Sequence, residues 1–201
     1  MAGWTRHEGL AAALPLEGVD TDQLIPARFM SAPRSAGYGG FLLHDLRHDA
    51  EGRPDPAFPL NREGAAGASI LVARRNFGGG SSREAAVYAL ADAGFRVVVA
   101  PSFGDIFSGN CISNGLLPAR VAEAEAERLI AAAPVRLVVD LEAGTIAGAG
   151  APVRFDLDPV WRMKLINGWD DIDLTAAHGE TIARFAADRR AARPWMWPPA
   201  A

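Results

Sequence analysis

Cysteine is nearly absent: the 201-residue chain has one, Cys111. A single thiol excludes an internal disulfide framework and points to a reducing, intracellular compartment. It also excludes an iron–sulfur cluster held by this chain alone, which needs several thiolates. Lysine is as scarce, with Lys164 the only one among 20 basic residues, and the net charge is −4. No basic run is longer than Arg189-Arg190, so the electrostatic footprint of a nucleic-acid binder is missing. No segment approaches the roughly 18–20 consecutive apolar residues that span a bilayer. Residues 10–16 are apolar, but they follow Arg6-His7-Glu8 and contain Pro15, a poor fit to a signal peptide. The expectation is a soluble, cytoplasmic protein with neither nucleic acid nor membrane as partner.

What is present is enough apolar material for a core, 49% of the residues, in one domain over 1–201. Residues 31–67 are rich in Gly, Pro, Arg and Asp, with Tyr38-Gly39-Gly40-Phe41 and Pro54-Asp55-Pro56 as breakers. They read as a long irregular excursion, a type of segment that tends to be functional or mobile. Regular structure follows. Residues 68–73 suit a buried strand, 82–93 a helix stopped by Gly94, and 95–100 a second buried strand closed by Pro101. Strand, glycine loop, helix and strand form a βαβ unit with parallel strands. Helices are expected over 103–114, 121–133, 159–166 and 175–189, with a hairpin of 135–141 and 145–149 around Glu142-Ala143-Gly144. The class is mixed α/β.

The most informative stretch is Asn76-Phe77-Gly78-Gly79-Gly80-Ser81-Ser82-Arg83-Glu84. Glycines let a backbone approach a ligand closely, and a helix start offers free N–H groups and positive potential. Ser81, Ser82 and Arg83 therefore suit an anion. The loop lacks the lysine of a P-loop, the spacing of a dinucleotide fingerprint and the frame of a nucleophile elbow. On its own it reads equally as a tight turn with a serine cap. Arg83 argues against that, because a guanidinium at a helix N-terminus calls for an anion.

Asp20-Thr21-Asp22-Gln23, followed by Arg28, reads on its own as an Asx-type turn. His44 and His48 are spaced as a metal pair beside Asp45 and Asp49, but no third ligand is identifiable, so no metal site is assigned. Cys111 lies in a helical, partly apolar stretch and reads as buried and inert.

Three segments taken together carry a resemblance. They are Val19-Asp20-Thr21-Asp22-Gln23-Leu24-Ile25-Pro26-Ala27-Arg28-Phe29, the loop from Asn76 to Glu84, and Pro101-Ser102-Phe103-Gly104-Asp105 continuing to Asn114-Gly115-Leu116-Leu117-Pro118. With Leu165-Ile166-Asn167-Gly168-Trp169-Asp170 later in the chain, this resembles the 3-isopropylmalate dehydratase (isopropylmalate isomerase) small-subunit family. That family is the mobile-domain branch of the aconitase superfamily.

The resemblance implies a swivelling β/β/α domain of the aconitase C-terminal type. It also implies a two-chain hydro-lyase of leucine biosynthesis that is active only with a large subunit. The large subunit would carry a [4Fe–4S] cluster as Lewis acid, in a heterodimer or higher assembly. The substrate would be a small dicarboxylate, 2-isopropylmalate, isomerised to 3-isopropylmalate by loss and return of water. By analogy Ser81 is the base, as an alkoxide, and Arg83 clamps a substrate carboxylate. Asp22 lines the site, and Arg28 and Ser82 bind substrate.

Two residues depart from the family pattern. Gly79 replaces a Cys, Ser or similar residue, and Ala85 replaces a histidine. The second leaves room for a paralogue acting on a citraconate or 2-methylmalate type of substrate, or for a non-catalytic carboxylate-binding module.

Overall fold

The computed structural model describes residues 2–81 and 83–197. Its centre is a seven-stranded sheet in the order β4-β3-β2-β1-β5-β6-β7. β1 (Arg6–Leu14), β2 (Ile70–Ala73), β3 (Val97–Ala100) and β4 (Leu117–Arg120) run parallel. β5 (Val135–Asp140) pairs antiparallel with the other edge of β1, and β6 (Thr145–Ala147) and β7 (Val153–Arg154) continue antiparallel.

Every residue of β2 and β3 is buried, because both faces of this half of the sheet are covered. Alternate side chains divide between two cores. Leu14, Leu71, Ala73, Val98 and Ala100 face one, with Phe77, Val87, Leu90, Phe107 and Cys111. Ala11, Ile70, Val72, Val97, Val99 and Leu117 face the other, with Leu129, Leu137, Val139 and Leu165.

The first core is closed by α1 (Thr21–Leu24), α2 (His44–Arg47), α3 (Glu84–Asp92) and α4 (Asp105–Ser113). The excursion expected at 31–67 is irregular, apart from short 3-10 turns and α2, yet it is packed. Tyr38, Leu42, Leu43 and Phe58 are buried in this core. Asp92 fastens it to the end of α3, accepting from the Tyr38 N–H at 2.6 Å and from Arg34 at 2.5 and 2.9 Å. Arg34 also lies over the Tyr88 ring at 4.4 Å.

The second core is closed by α5 (Glu123–Ala132) and α6 (Pro159–Asn167). α6 starts under an Asp158 cap with Pro159 in its first turn and ends at Gly168 in the left-handed region, as such signals prescribe. α7 (Asp171–Ala176) and α8 (Gly179–Ala192) follow.

The βαβ unit over 68–100 and the hairpin are where the sequence places them. β1, β4 and β7 were not expected. One helix over 175–189 is instead two, because a capping box at Asp170 and Asp173 starts α7 early. Gly179, a poor interior helix residue, opens α8. The helix expected from Ser82 begins at Glu84, since the chain is still extended at Arg83 (φ −136°, ψ 104°). Among the described residues no helix is long and apolar enough to cross a membrane.

Candidate active site

Three loops meet at the carboxyl ends of β1, β2 and β3, where open α/β sheets place their ligand sites. They are tied through the main chain. The Gly78 N–H donates to the Val19 carbonyl at 2.7 Å, and the Thr21 N–H to the Gly79 carbonyl at 3.0 Å. On the other side Phe77 N–H donates to Ser102 at 3.0 Å and Gly104 N–H to Phe77 at 2.9 Å. The Asn76 N–H donates to the Ser102 hydroxyl at 2.8 Å, with Asn76 held at φ +60°.

Two glycines are required by this weave. A Cβ on Gly78, at φ +71°, would lie 2.2 Å from the Phe107 ring. One on Gly104 would lie 2.5 Å from the Gly78 carbonyl oxygen.

The Asp20-Thr21-Asp22 motif is therefore more than a turn. Asp20 forms a capping box with Gln23 at the start of α1. Thr21, almost fully buried, donates its hydroxyl to the Ser81 carbonyl at 2.5 Å. Asp22 then reaches Arg83, their oxygen Oδ1 and nitrogen Nη1 in an ion pair. That nitrogen is buried and the contact is electrostatic, without the alignment of a hydrogen bond. The Arg83 side chain is 20% exposed and Asp22 51%. The anion that Arg83 calls for is thus supplied, in the free chain, by Asp22. Ser81, two residues earlier in the chain, is exposed. Ser82 lies outside the described residues.

Asn114 explains part of the third motif. Its side-chain amide donates to Glu84 at 2.9 Å and to the Asn110 carbonyl at 2.9 Å, linking the end of α4 to the first turn of α3. In the sequence Thr21, Ser102 and Asn114 stand out only as members of motifs. Their hydrogen bonds across 26 to 60 residues of sequence leave no local pattern to find.

Arg28 belongs to another cluster. It makes a two-pronged pair with Asp45 and lies over the Phe29 ring at 4.5 Å. The hydrogen bond from Arg28 holds the Asp45 carboxyl down to about 2. His44 and His48 stack there with ring centroids 4.4 Å apart. The side chain expected to bind substrate is therefore already engaged by a carboxylate of this chain. Ala85, in the first turn of α3, packs partly buried against the first core.

Iron–sulfur ligation does not fit the residues present. Cys111 is fully buried in α4, and burial pushes its thiol well above the ordinary range. Among the described residues no group of three or more His, Cys, Asp or Glu side chains could hold a metal ion.

Comparison with known proteins agrees with this architecture. The aconitase C-terminal domain family matches residues 1–124. The 3-isopropylmalate dehydratase small subunit of Shouchella clausii is 45% identical over 182 residues, covering 89% of this chain and 92% of that protein. The small subunit of Teredinibacter turnerae is 41% identical over 210 residues, covering 98% of each. A solved 3-isopropylmalate dehydratase structure from Methanocaldococcus jannaschii shares the fold, with a TM-score of 0.65 at 23% identity, over 89% of this chain and 98% of that one. Aconitase-family enzymes use a [4Fe–4S] cluster. Matched over nearly its whole length and by the domain that carries its three-loop weave, the chain belongs to the 3-isopropylmalate dehydratase small-subunit family of aconitase C-terminal domains.

Proposed function

We propose that this chain is the small subunit of a 3-isopropylmalate dehydratase. The enzyme interconverts 2- and 3-isopropylmalate by loss and return of water, in leucine biosynthesis. The observation that carries the reading is the placement of Ser81 and Arg83. Ser81 is an exposed residue two positions before the partly buried Arg83, on a loop tied to Thr21 and Asp22. The [4Fe–4S] cluster is assigned to the large subunit, because the thiolates for it are not in this chain.

The acidic proton sits on carbon next to a carboxylate, so charge builds toward that carboxylate as the proton leaves. A cation placed there stabilises it. Ser81, as an alkoxide, takes the proton, and the C–O bond on the adjacent carbon breaks. The hydroxyl departs with the Lewis-acid assistance that a cluster on the large subunit would supply, while Arg83 holds the carboxylate with its planar fork. The entering carboxylate competes with Asp22 for Arg83, so Asp22 keeps the guanidinium oriented until substrate arrives. The hydroxyl of water then adds to the carbon that lost the proton, and Ser81 returns its proton to the carbon that lost the hydroxyl, which completes the isomerisation and restores the alkoxide.

The test is reconstitution with a cluster-bearing large subunit and 2-isopropylmalate, following absorbance of the unsaturated intermediate. Turnover that survives Ser81→Ala would leave a non-catalytic role for this loop. Faster turnover of citraconate or 2-methylmalate would move the substrate to the shorter dicarboxylates, as the alanine at position 85 allows.

A further inference from the structure

The described surface exposes ten large apolar side chains, and seven of them lie at or after Val160. The most exposed are Ile172 (78%), Trp195 (76%) and Phe185 (66%). α8 is 14 residues long and buries none of them. A helix of that length is marginal in water by itself, and Ile182 and Phe185, three apart, share one face of it. Scattered apolar residues on a surface need no explanation, whereas a run of them on one unburied element marks an interaction site.

This arm is also built to keep its shape. At its base the almost fully buried Lys164 reaches Asp171 at 2.8 Å. At its tip Arg190 lies over the Trp197 ring at 4.7 Å, folding the end of the chain back on α8. From 179 to 197 it carries four arginines, Arg184, Arg189, Arg190 and Arg193, against Glu180 and Asp188. That outer part is thus net positive on a chain whose total is −4. Asp171 and Asp173 at the base bring the whole arm to neutrality, so the excess positive charge sits on α8 and the tip.

We infer that the arm from Asp171 to Trp197 is the surface by which this chain docks on its large subunit, seating Phe185 and Ile182 in an apolar groove with an acidic rim. The inference rests on the two-chain reading above. The relatives are named small subunits, which implies a larger partner. The matched aconitase domain ends at residue 124, so the arm lies beyond it. The Teredinibacter relative covers 98% of this chain, so its match takes in nearly all of the arm. A separate chain has no linker to raise its effective concentration at the partner. It must be held by contact area, and the arginines of α8 and the tip fit an acidic rim.

The experiment measures affinity and turnover separately, using the full chain and the purified large subunit. The double variant Ile182→Glu, Phe185→Glu changes neither core, so its melting temperature stays at the parent value. Its Kd for the large subunit should rise by about 30-fold or more, as for loss of an interface hot spot. Its kcat at saturating large subunit should stay within about twofold of the parent. In a second variant, Arg184→Glu with Arg193→Glu, the loss of affinity should be largest at low salt and fade as salt screens it.

Parent-like affinity in both variants, with a parent that assembles and turns over, overturns the arm and leaves the function standing. Arm-dependent assembly without turnover of any dicarboxylate supports the arm and sinks the function. A parent that does not bind the large subunit overturns the docking. So does a parent that forms a homodimer broken by the double variant, because the occupant is then a second copy.

Discussion

The Thr21 hydroxyl donates to the Ser81 main-chain carbonyl at 2.5 Å, across 60 residues of sequence. One buried side chain thereby fixes the backbone that presents the proposed base. Thr21→Val keeps the shape and removes the donor, leaving a carbonyl without its partner. A stability loss of about 1–3 kcal/mol is expected from that unmet acceptor, read by urea denaturation. In the reconstituted enzyme kcat should fall with little change in KM, since the change displaces Ser81 rather than the carboxylate clamp.

Ser81 and Arg83 should separate kinetically. Ser81→Ala is expected to lower kcat by roughly 100- to 10,000-fold, the usual worth of a positioned proton acceptor, with KM near the parent value. Arg83→Lys keeps the charge and loses the fork, so it should raise KM as well. Steady-state kinetics with 2-isopropylmalate would contradict the assigned roles if the two profiles were interchanged.

Much of this was legible in the sequence, and the failures have physical causes. β2, β3 and their connecting helix announce themselves because both faces of the strands are buried, giving unbroken apolar runs. β1 was hidden because Arg6-His7-Glu8-Gly9 starts it with polar and small residues, although it is central to the sheet. β4 was hidden by Pro118, which a strand tolerates at a sheet edge, and β4 is an edge. The resemblance put Asp22 and Arg83 at one site, and they touch. It also named Arg28, and sequence order says nothing about the Asp45 carboxylate that pairs with it.

Gly78→Ala should be among the most damaging changes in the chain. It places a methyl 2.2 Å from the Phe107 ring and demands φ +71° of an L-residue. Overpacking and backbone strain together predict a loss of roughly 3 kcal/mol or more. Gly40→Ala, where a Cβ meets nothing within 4 Å, is the control. A thermal melt in which the two variants match would contradict the close packing described for the loop.

Acid should loosen the excursion on α3. Burial tends to raise the Asp92 carboxyl, but Arg34, the Tyr38 N–H and the Arg34 charge outweigh it and leave it below its ordinary 3.8. The stability it contributes is therefore complete above pH 3.8 and is lost as pH falls through the lower folded value. The melting temperature of Asp92→Asn should lie below that of the parent at pH 7 and converge with it toward pH 2. A gap that widened in acid would contradict the assignment.

The thiol of Cys111 should be silent in the native protein. It is fully buried and burial raises its pKa, so both access and thiolate are missing. A disulfide reagent at pH 8 should label it only at the rate of unfolding. Rapid stoichiometric labelling of the folded chain would show that α4 opens.

The main-chain weave between the three loops also bears on motion. Loop amides usually exchange first with deuterated solvent. Here the N–H groups of Thr21, Phe77, Gly78 and Gly104 are shared between loops, so none can open without its neighbours. These amides should exchange as slowly as those of β2 and β3, in one cooperative unit. The half-site then travels as a rigid plate. In the two-chain reading proposed above, enclosing a substrate then falls to the joint between the chains rather than to these loops.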